Sequence, residues 1–422
     1  MASENEPLHL ATFEVSQIRG SASTRWSQGV LETDLRALEA SLAGEIGSET
    51  VNLEIVRPGD PVRIMNVLDV VEPTVKVGSV DATFPGILGP TWMCGAGLTY
   101  RLEGASVIAT ADLASTHPDV AEEIPDSIVD MAGPGASLCR WSRTNNIVVS
   151  FGCSPGVGFA EVDGSIRRAT LRLARDLAAT TIDSDADRTD ELTLGPVDGS
   201  LPGICVILQI AAEGPGEDTY LYGVPATEGM PRTIDPREVL DGAVTAASYD
   251  WPGVRNPTFS YQRSELLLRL LEAHGRNLRF AGVVLTLGYL NTAEEKRRMA
   301  EEAAELAGSL GADGAICTTF SSGNSHTDTM LTAQACERLG IRTTVIVAET
   351  NGGLTDHVPE ADSIVSVGNE DELVPAWRPQ RVIGGERLRD GTPADRAGPI
   401  AAVHYLGALS ESGDSSLQAV PA

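Results

Sequence analysis

Phe280-Ala281-Gly282-Val283-Val284-Leu285-Thr286-Leu287 is an apolar run of strand length, and the chain beyond it alternates such runs with amphipathic segments. Thr292 stands three residues before Glu295, the spacing of a helix-capping box. The helix it starts carries charges on one face and Ala, Met and Leu on the other as far as Leu310, and Gly311 ends it. Gly314-Ala315-Ile316-Cys317-Thr318 is a second strand, followed by a polar loop from Ser321 to His326. A second helix is expected from about Thr327 to Leu339, stopped by Gly340. Thr343-Thr344-Val345-Ile346-Val347 and Ser363-Ile364-Val365-Ser366-Val367 supply two more strands. Continuous apolar strands alternating with helices predict a parallel sheet covered on both faces. Ligands of such sheets bind beyond the carboxyl ends of the strands, so the loops after Leu287, Thr318 and Val347 are the first places to look for chemistry.

Working outward, the fold class is α/β. An N-terminal mixed, largely β domain (1–245) precedes the parallel, doubly wound α/β domain (246–385), and residues 386–422 are expected to be a flexible tail. Residues 62–77 alternate β-branched with polar side chains, the pattern of antiparallel strands. From Gly164 to Ile182 the spacing of Ile166, Ala169, Leu173, Ala174 and Leu177 is helical. Asp183 to Asp190 has no apolar anchor and reads as a charged loop, and Gly203 to Ala211 as a buried strand. Pro and Gly between Ala246 and Thr258 mark the domain boundary.

The 422 residues are 42% apolar, enough for a sizeable core. With 59 acidic against 31 basic residues the chain carries −28, which argues against nucleic acid and anionic membrane as partners. Six cysteines are scattered without a C-x-x-C pair, so neither a metal site nor a disulfide framework is indicated. Cys205 and Cys317 lie inside apolar strands and read as small core residues. No signal peptide or membrane span is visible, and a cytoplasmic protein with reduced thiols is expected.

Gly95-x-Gly97 lacks the third glycine of a dinucleotide fingerprint, and no Walker A motif is present. Cys153-Ser154-Pro155-Gly156-Val157-Gly158 is a glycine loop before a helix, an anion cradle or a plain connection. Trp92-Met93-Cys94 offers a thiol beside an aromatic ring, nucleophilic or inert. The stretch from Ser321 to Asp328 joins a parallel strand to a helix, which turns its N–H groups toward the ligand crevice. In one reading the helix N-terminus binds a carboxylate and His326 transfers a proton, with His357 converging from the loop after Val347. In the other, Ser325 or Thr327 caps the helix and His326 is a surface residue.

Several stretches together resemble one family, the pyruvoyl-type proprotein of glycine/sarcosine/betaine reductase component B and its relative in D-proline reductase. They are Val62 to Pro73, Phe84 to Gly89, Gly97 to Gly104, Asp218 to Gly223, Glu238 to Ala243, His274 to Phe280, the Gly323-Asn324-x-x-Thr327-Asp328 loop and Gly368-Asn369-Glu370. Each is weak alone; their order and spacing over roughly residues 8 to 385 carry the resemblance. It implies a reductive cleavage in which a pyruvoyl group, made from a cysteine by self-cleavage, forms a Schiff base with the substrate amine. A selenocysteine- or thiol-bearing subunit then attacks the activated carbon.

The sequence departs from that pattern at the decisive residue. The cleaving cysteine belongs between Gly242 and His274, and none occurs there. Counting back from His274 puts Gly253 in its place, or Ser248 with a short gap. Gly253 has no side-chain nucleophile, and Ser248 is a possible pyruvoyl precursor by an ester route. The expectation is an uncleaved chain with no cofactor and no metal, a subunit in a hetero-oligomer whose partner supplies the thiol or selenol. It binds a small polar amine-type substrate. His326, Asp218 and Tyr220 are the expected catalytic residues, and Gly323, Asn324, Thr327 and Asp328 the substrate-binding ones. The alternatives are a non-catalytic scaffold subunit of that complex and a pyruvoyl enzyme using Ser248.

Overall fold

Two four-stranded sheets carry the first half of the chain. The computed structural model describes residues 6–46, 50–78, 83–84, 88, 94–114, 116–153, 156–197, 199–211, 219–246, 251–320, 323–351, 361–396, 398–410 and 418–420. The strands are β1 (Leu8–Glu14), β2 (Val51–Val56), β3 (Val67–Val71), β4 (Thr74–Val77), β5 (Gly97–Glu103), β6 (Ala105–Ala111), β7 (Asn145–Phe151) and β8 (Arg188–Leu192). One sheet has the order β8-β1-β5-β4, the other β2-β7-β6-β3. β3 and β4 pair antiparallel with β6 and β5, as the alternation in 62–77 predicts. Ile166, Ala169, Leu173, Ala174 and Leu177 of helix α1 (Phe159–Ala179) are all buried against both sheets, in one core with Phe13, Val75, Val107 and Val149. The helical spacing in the sequence is this buried stripe.

The second half is built on a seven-stranded sheet. Its strands are β9 (Gly203–Ile210), β10 (Arg232–Ile234), β11 (Arg279–Leu287), β12 (Gly314–Thr318), β13 (Arg342–Glu349), β14 (Ser363–Asn369) and β15 (Gln418–Val420), in the order β10-β11-β9-β12-β13-β14-β15. The five central strands are parallel, and the two edge strands are antiparallel. Alternate residues of β9 face opposite cores. Cys205 and Ile207 pack under Ala300, Ala303, Ala304 and Ala307 of helix α2 (Ala293–Ser309) and Ala333 and Cys336 of helix α3 (Asn324–Arg338). Val206, Leu208 and Ile210 face Tyr261, Leu267, Leu270 and Leu271. Each such side chain contributes about 1.5–3 kcal/mol by leaving water. Cys205, Cys317 and Cys336 are buried in one core, where desolvation pushes the Cys205 and Cys336 thiols up to about 12. They are inert core residues, as expected for the first two.

The structure corrects three expectations. β9 belongs to the parallel sheet and lies between β11 and β12, so the sheet takes strands from both sides of residue 245. A 68-residue excursion separates β9 from its neighbour β11, which hid the pairing in a reading that joined consecutive elements. Second, the described part of 386–422 is docked. Tyr405, Leu406 and Leu409 are buried in a core shared with Ile346 and Val367, and β15 pairs with β14. Tyr405 makes an isolated bridge to Ile128, and Leu406 and Leu409 sit in a turn, none of which leaves a period in the sequence. Third, Arg188 to Asp190 are strand β8, paired with Ala11 and Thr12 and held by Arg188–Glu103 and Arg101–Asp190 ion pairs, not a charged loop. Among the described residues no helix is long and apolar enough to cross a membrane.

Candidate functional site

The order β11-β9-β12-β13-β14 reverses direction at β9, so the crevice beyond the carboxyl ends of β9 and β12 is the switch point where open α/β sheets take ligands. Gln209, at the end of β9, ties the crevice together. Its Oε1 accepts from the Phe320 N–H (2.8 Å) and its Nε2 donates to the Ser325 carbonyl (3.0 Å). Gly288 closes on the same point. A Cβ there would stand 3.1 Å from both Gln209 Cδ and Ser325 Cβ. The next residue, Tyr289, holds a left-handed backbone (φ +63°), which costs about 1–3 kcal/mol in a residue other than glycine. Its ring meets Phe320 edge-on at 6.3 Å.

Helix α3 begins at Asn324, earlier than the sequence suggested, because Gly323 (φ +70°) makes the turn into it. Its N-cap is Gly323, which has no side chain to offer, so neither Ser325 nor Thr327 has the capping role. Gly323 and Asn324 are exposed. Asn324 Nδ2 donates to the Leu290 carbonyl (3.4 Å), and Lys296 Nζ donates to the Asn324 carbonyl (3.3 Å). Thr327 is half-buried with its hydroxyl on the Gly323 carbonyl (3.3 Å). His326 is 2% exposed, so it is a first-turn residue of the buried face and not a surface one. Asp328 is buried as well. It pairs with Lys296 (2.6 Å) and accepts from the Leu290 N–H (3.2 Å), and burial holds its carboxyl above the usual range despite the lysine. It is therefore a strut fixing the loop after β11. The structure brings Gly323, Asn324, Thr327 and Asp328 together.

Tyr220 belongs to a second cluster. It sits on the short strand Tyr220–Leu221, opposite Thr245, with its ring 5.2 Å from the Arg167 guanidinium. Arg167 is buried, pairs with Asp163 (2.5 Å) and donates to the Ala246 carbonyl. The Ala246 N–H donates to Thr258 Oγ1 (2.9 Å), and Thr258 donates to Asp69 through both its N–H (2.8 Å) and its hydroxyl (2.6 Å). Burial pushes the Asp69 carboxyl up to about 6, against the pull of these hydrogen bonds. Two further buried ion pairs run alongside. Asp241 takes Lys76, the Thr99 hydroxyl (2.6 Å) and the Gly95 N–H (2.8 Å); Glu72 takes Arg263, which also reaches Glu103 (3.0 Å). Asp241, Thr258 and Arg263 are thus fastened to β4, to β3 and to Glu72 between them by buried charge. The sequence reading missed Asp69, Arg167 and Thr258. The signal available was a carboxylate inside Val67-Leu68-Asp69-Val70-Val71, an apolar run that buries every member.

Asp218, Ser248, His357, Trp92 and Met93 lie outside the described residues. Cys94 is buried, so its thiol is not the exposed one envisaged beside Trp92. Gly253 is packed so closely that a Cβ would stand 2.6 Å from Val403 Cα and 2.9 Å from its carbonyl oxygen. Among the described residues no group of three or more His, Cys, Asp and Glu side chains is placed to hold a metal ion.

A family model described as glycine/sarcosine/betaine reductase component B subunits matches residues 7–406. The chain is 30% identical to the betaine reductase complex component B subunit alpha of Peptoclostridium acidaminophilum, over 93% of this chain and 91% of that one. It is 29% identical to the glycine reductase complex component B subunits alpha and beta of Acetoanaerobium sticklandii, over 89% and 88%. Identity to the sarcosine reductase complex component B subunit alpha of Peptoclostridium acidaminophilum is 28%, over 89% of each chain. No solved structure matches.

Proposed function

Because the chain belongs to the family of glycine/sarcosine/betaine reductase component B subunits, we propose that it is the substrate-holding subunit of such a reductase complex. It binds a small polar amine-type substrate and presents its carbon–nitrogen bond to a thiol or selenol on a partner subunit. The observation that carries the reading is the switch-point crevice, where Gln209, the start of α3 at Gly323 and exposed Asn324 meet. A helix N-terminus favours a carboxylate, the group an amino-acid-like amine presents beside its nitrogen. Asn324 supplies donors and an acceptor for orientation. His326, whose imidazole can accept and release a proton, is assigned the proton that the partner's thiol or selenol gives up on becoming a nucleophile. That nucleophile attacks the carbon bearing nitrogen, the C–N bond breaks and the amine leaves. The nucleophile comes from outside this chain because five of its six cysteines are buried and the sixth, Cys153, is half-buried with its thiol pushed up by burial.

The family's pyruvoyl group does not fit at Gly253, where no side chain has room, and no cysteine lies between Gly242 and His274. The proposal therefore includes an uncleaved chain acting without a Schiff base. Denaturing mass spectrometry tests this. One species at 44.4 kDa is expected. Two fragments meeting at Ala247 and Ser248, the second with a blocked N-terminus, would replace this reading by a pyruvoyl enzyme using Ser248. In the reconstituted complex His326→Ala should abolish turnover while leaving the fold intact; unchanged turnover removes His326 from the mechanism. The burial of His326 and Asp328 favours a second reading, a scaffold subunit. A partner that turns over substrate at full rate without this chain would establish it.

A further inference from the structure

A cavity of about 490 Å³ lies where the carboxyl end of β6, the helix Pro118–Glu123, the start of β3 and the turn 385–391 come together. That volume falls within the range that holds small organic ligands. We propose that this cavity is a second binding site, for a compact organic cation: an ammonium group carrying an apolar body. The inference does not depend on the role given to the crevice.

The lining divides by chemistry. Val67, Leu68, Leu113, Ile124 and Leu388 make an apolar wall suited to a hydrocarbon body. The half-buried carboxylate among the lining residues is Asp126, oriented by the Arg389 N–H, which donates to its Oδ1 (2.8 Å). Burial holds this carboxyl above its usual range, so an incoming cation relieves the cost of its ionised form. Among the exposed lining residues the three carboxylates Asp112, Glu122 and Glu386 outnumber the two guanidinium groups, Arg387 and Arg389. The field at the opening therefore favours a positive ligand.

The walls are also set in advance. Arg255 Nη2 donates to the Val67 carbonyl (2.5 Å) and to Ser127 Oγ (3.3 Å), bracing two lining residues from behind. Asn66 takes a left-handed backbone (φ +51°), and its Nδ2 donates to the Gly384 carbonyl (2.8 Å). A Cβ at Gly384 would stand 2.3 Å from the Met65 carbonyl oxygen, and one at Gly385 2.5 Å from Asn66 Nδ2. Only glycines allow the turn to lie this close, and the strain at Asn66 is maintained by the contacts that shape the cavity. A pre-shaped cavity loses less on binding than one that must order itself.

The test uses the full-length chain and two probes of matched shape, hexylammonium chloride and 1-hexanol, followed by titration calorimetry. Hexylammonium should bind at least tenfold more tightly than hexanol. Asp126→Asn keeps the acceptor for the Arg389 N–H and should abolish that preference. Ala121→Trp, on the lining helix, should fill the cavity and remove binding of both probes. Equal affinity for the two probes, a preference that survives Asp126→Asn, hexylammonium binding unchanged in Ala121→Trp, or no binding at all would each overturn the proposal.

Discussion

The crevice at the end of β9 and the charged belt that holds Asp241, Thr258 and Arg263 are built on opposite plans. The crevice holds exposed Asn324 and Gly323 over a sheet stabilised by apolar burial. In the belt, charged groups are taken out of water and joined in pairs: Asp241 with Lys76, Glu72 with Arg263, Asp163 with Arg167. Buried pairs add little net stability over apolar side chains of the same size, but removing one partner is costly. The belt therefore serves to fix one placement of Asp241, Thr258 and Arg263, whereas the crevice is free to vary in what it contacts.

Breaking the belt should give the largest effect. Arg263→Ala leaves Glu72 buried without its cation and should cost about 3–5 kcal/mol in denaturant unfolding. The double replacement Arg263→Met with Glu72→Leu should recover most of that loss. If it does not, the pair contributes stability and not only placement.

Asp69 gives the next effect, and its sign is opposite to that of a carboxylate held ionised by a cation. Its folded-state value of about 6 lies above the ordinary 3.8 of an aspartate, so the folded protein binds the proton more tightly. Stability linked to this group is highest in acid, falls as pH rises from about 4 to about 6, and is constant above that. The shift corresponds to roughly 3 kcal/mol at about 1.4 kcal/mol for each pH unit. Unfolding free energies measured from pH 4 to 6.5 should show that decline in the native chain and a shallower one in Asp69→Asn; parallel profiles would remove Asp69 as the cause.

Gly253→Ala should destabilise by about 1–3 kcal/mol, since the Val403 backbone must move to admit one methyl group. A neutral result would reopen this position to a side chain. At the crevice, Asn324→Ala should change unfolding by no more than about 0.5 kcal/mol, because the residue is exposed. Turnover of the reconstituted complex should still fall about tenfold, a loss of about 1.4 kcal/mol in transition-state binding. Unfolding changed as much as activity would mean that the two regions do not differ in kind.

The same contrast explains what could be read from the residues alone. Helix α2 announced itself through Thr292 and Glu295, whose reciprocal capping bonds are present, and strands β11 to β14 through unbroken apolar runs. Those signals are local, and so is the loop into α3. The belt is written in contacts between distant positions, such as Asp69 with Thr258 and Glu72 with Arg263, 189 and 191 residues apart. No period or motif marks a buried ion pair, and each member looks like an ordinary surface charge. β9 was visible as a strand but not as a neighbour of β11 and β12. Tyr405 and Leu406 were invisible because an isolated bridge and a turn carry no period.

Arg63 adds a consequence in time. It lies on the short strand Val62–Ile64, which pairs with Arg381–Ile383, and its Nη1 donates to the Ala394 carbonyl 331 residues later. At about 5–20 residues per second, translation leaves that strand edge open for roughly 15–65 s after Arg63 is made. An open edge beside buried valines is a template for pairing with another chain. Yield of this protein in a cell should therefore depend on how fast the last third is synthesised and on what shields the first third while it waits.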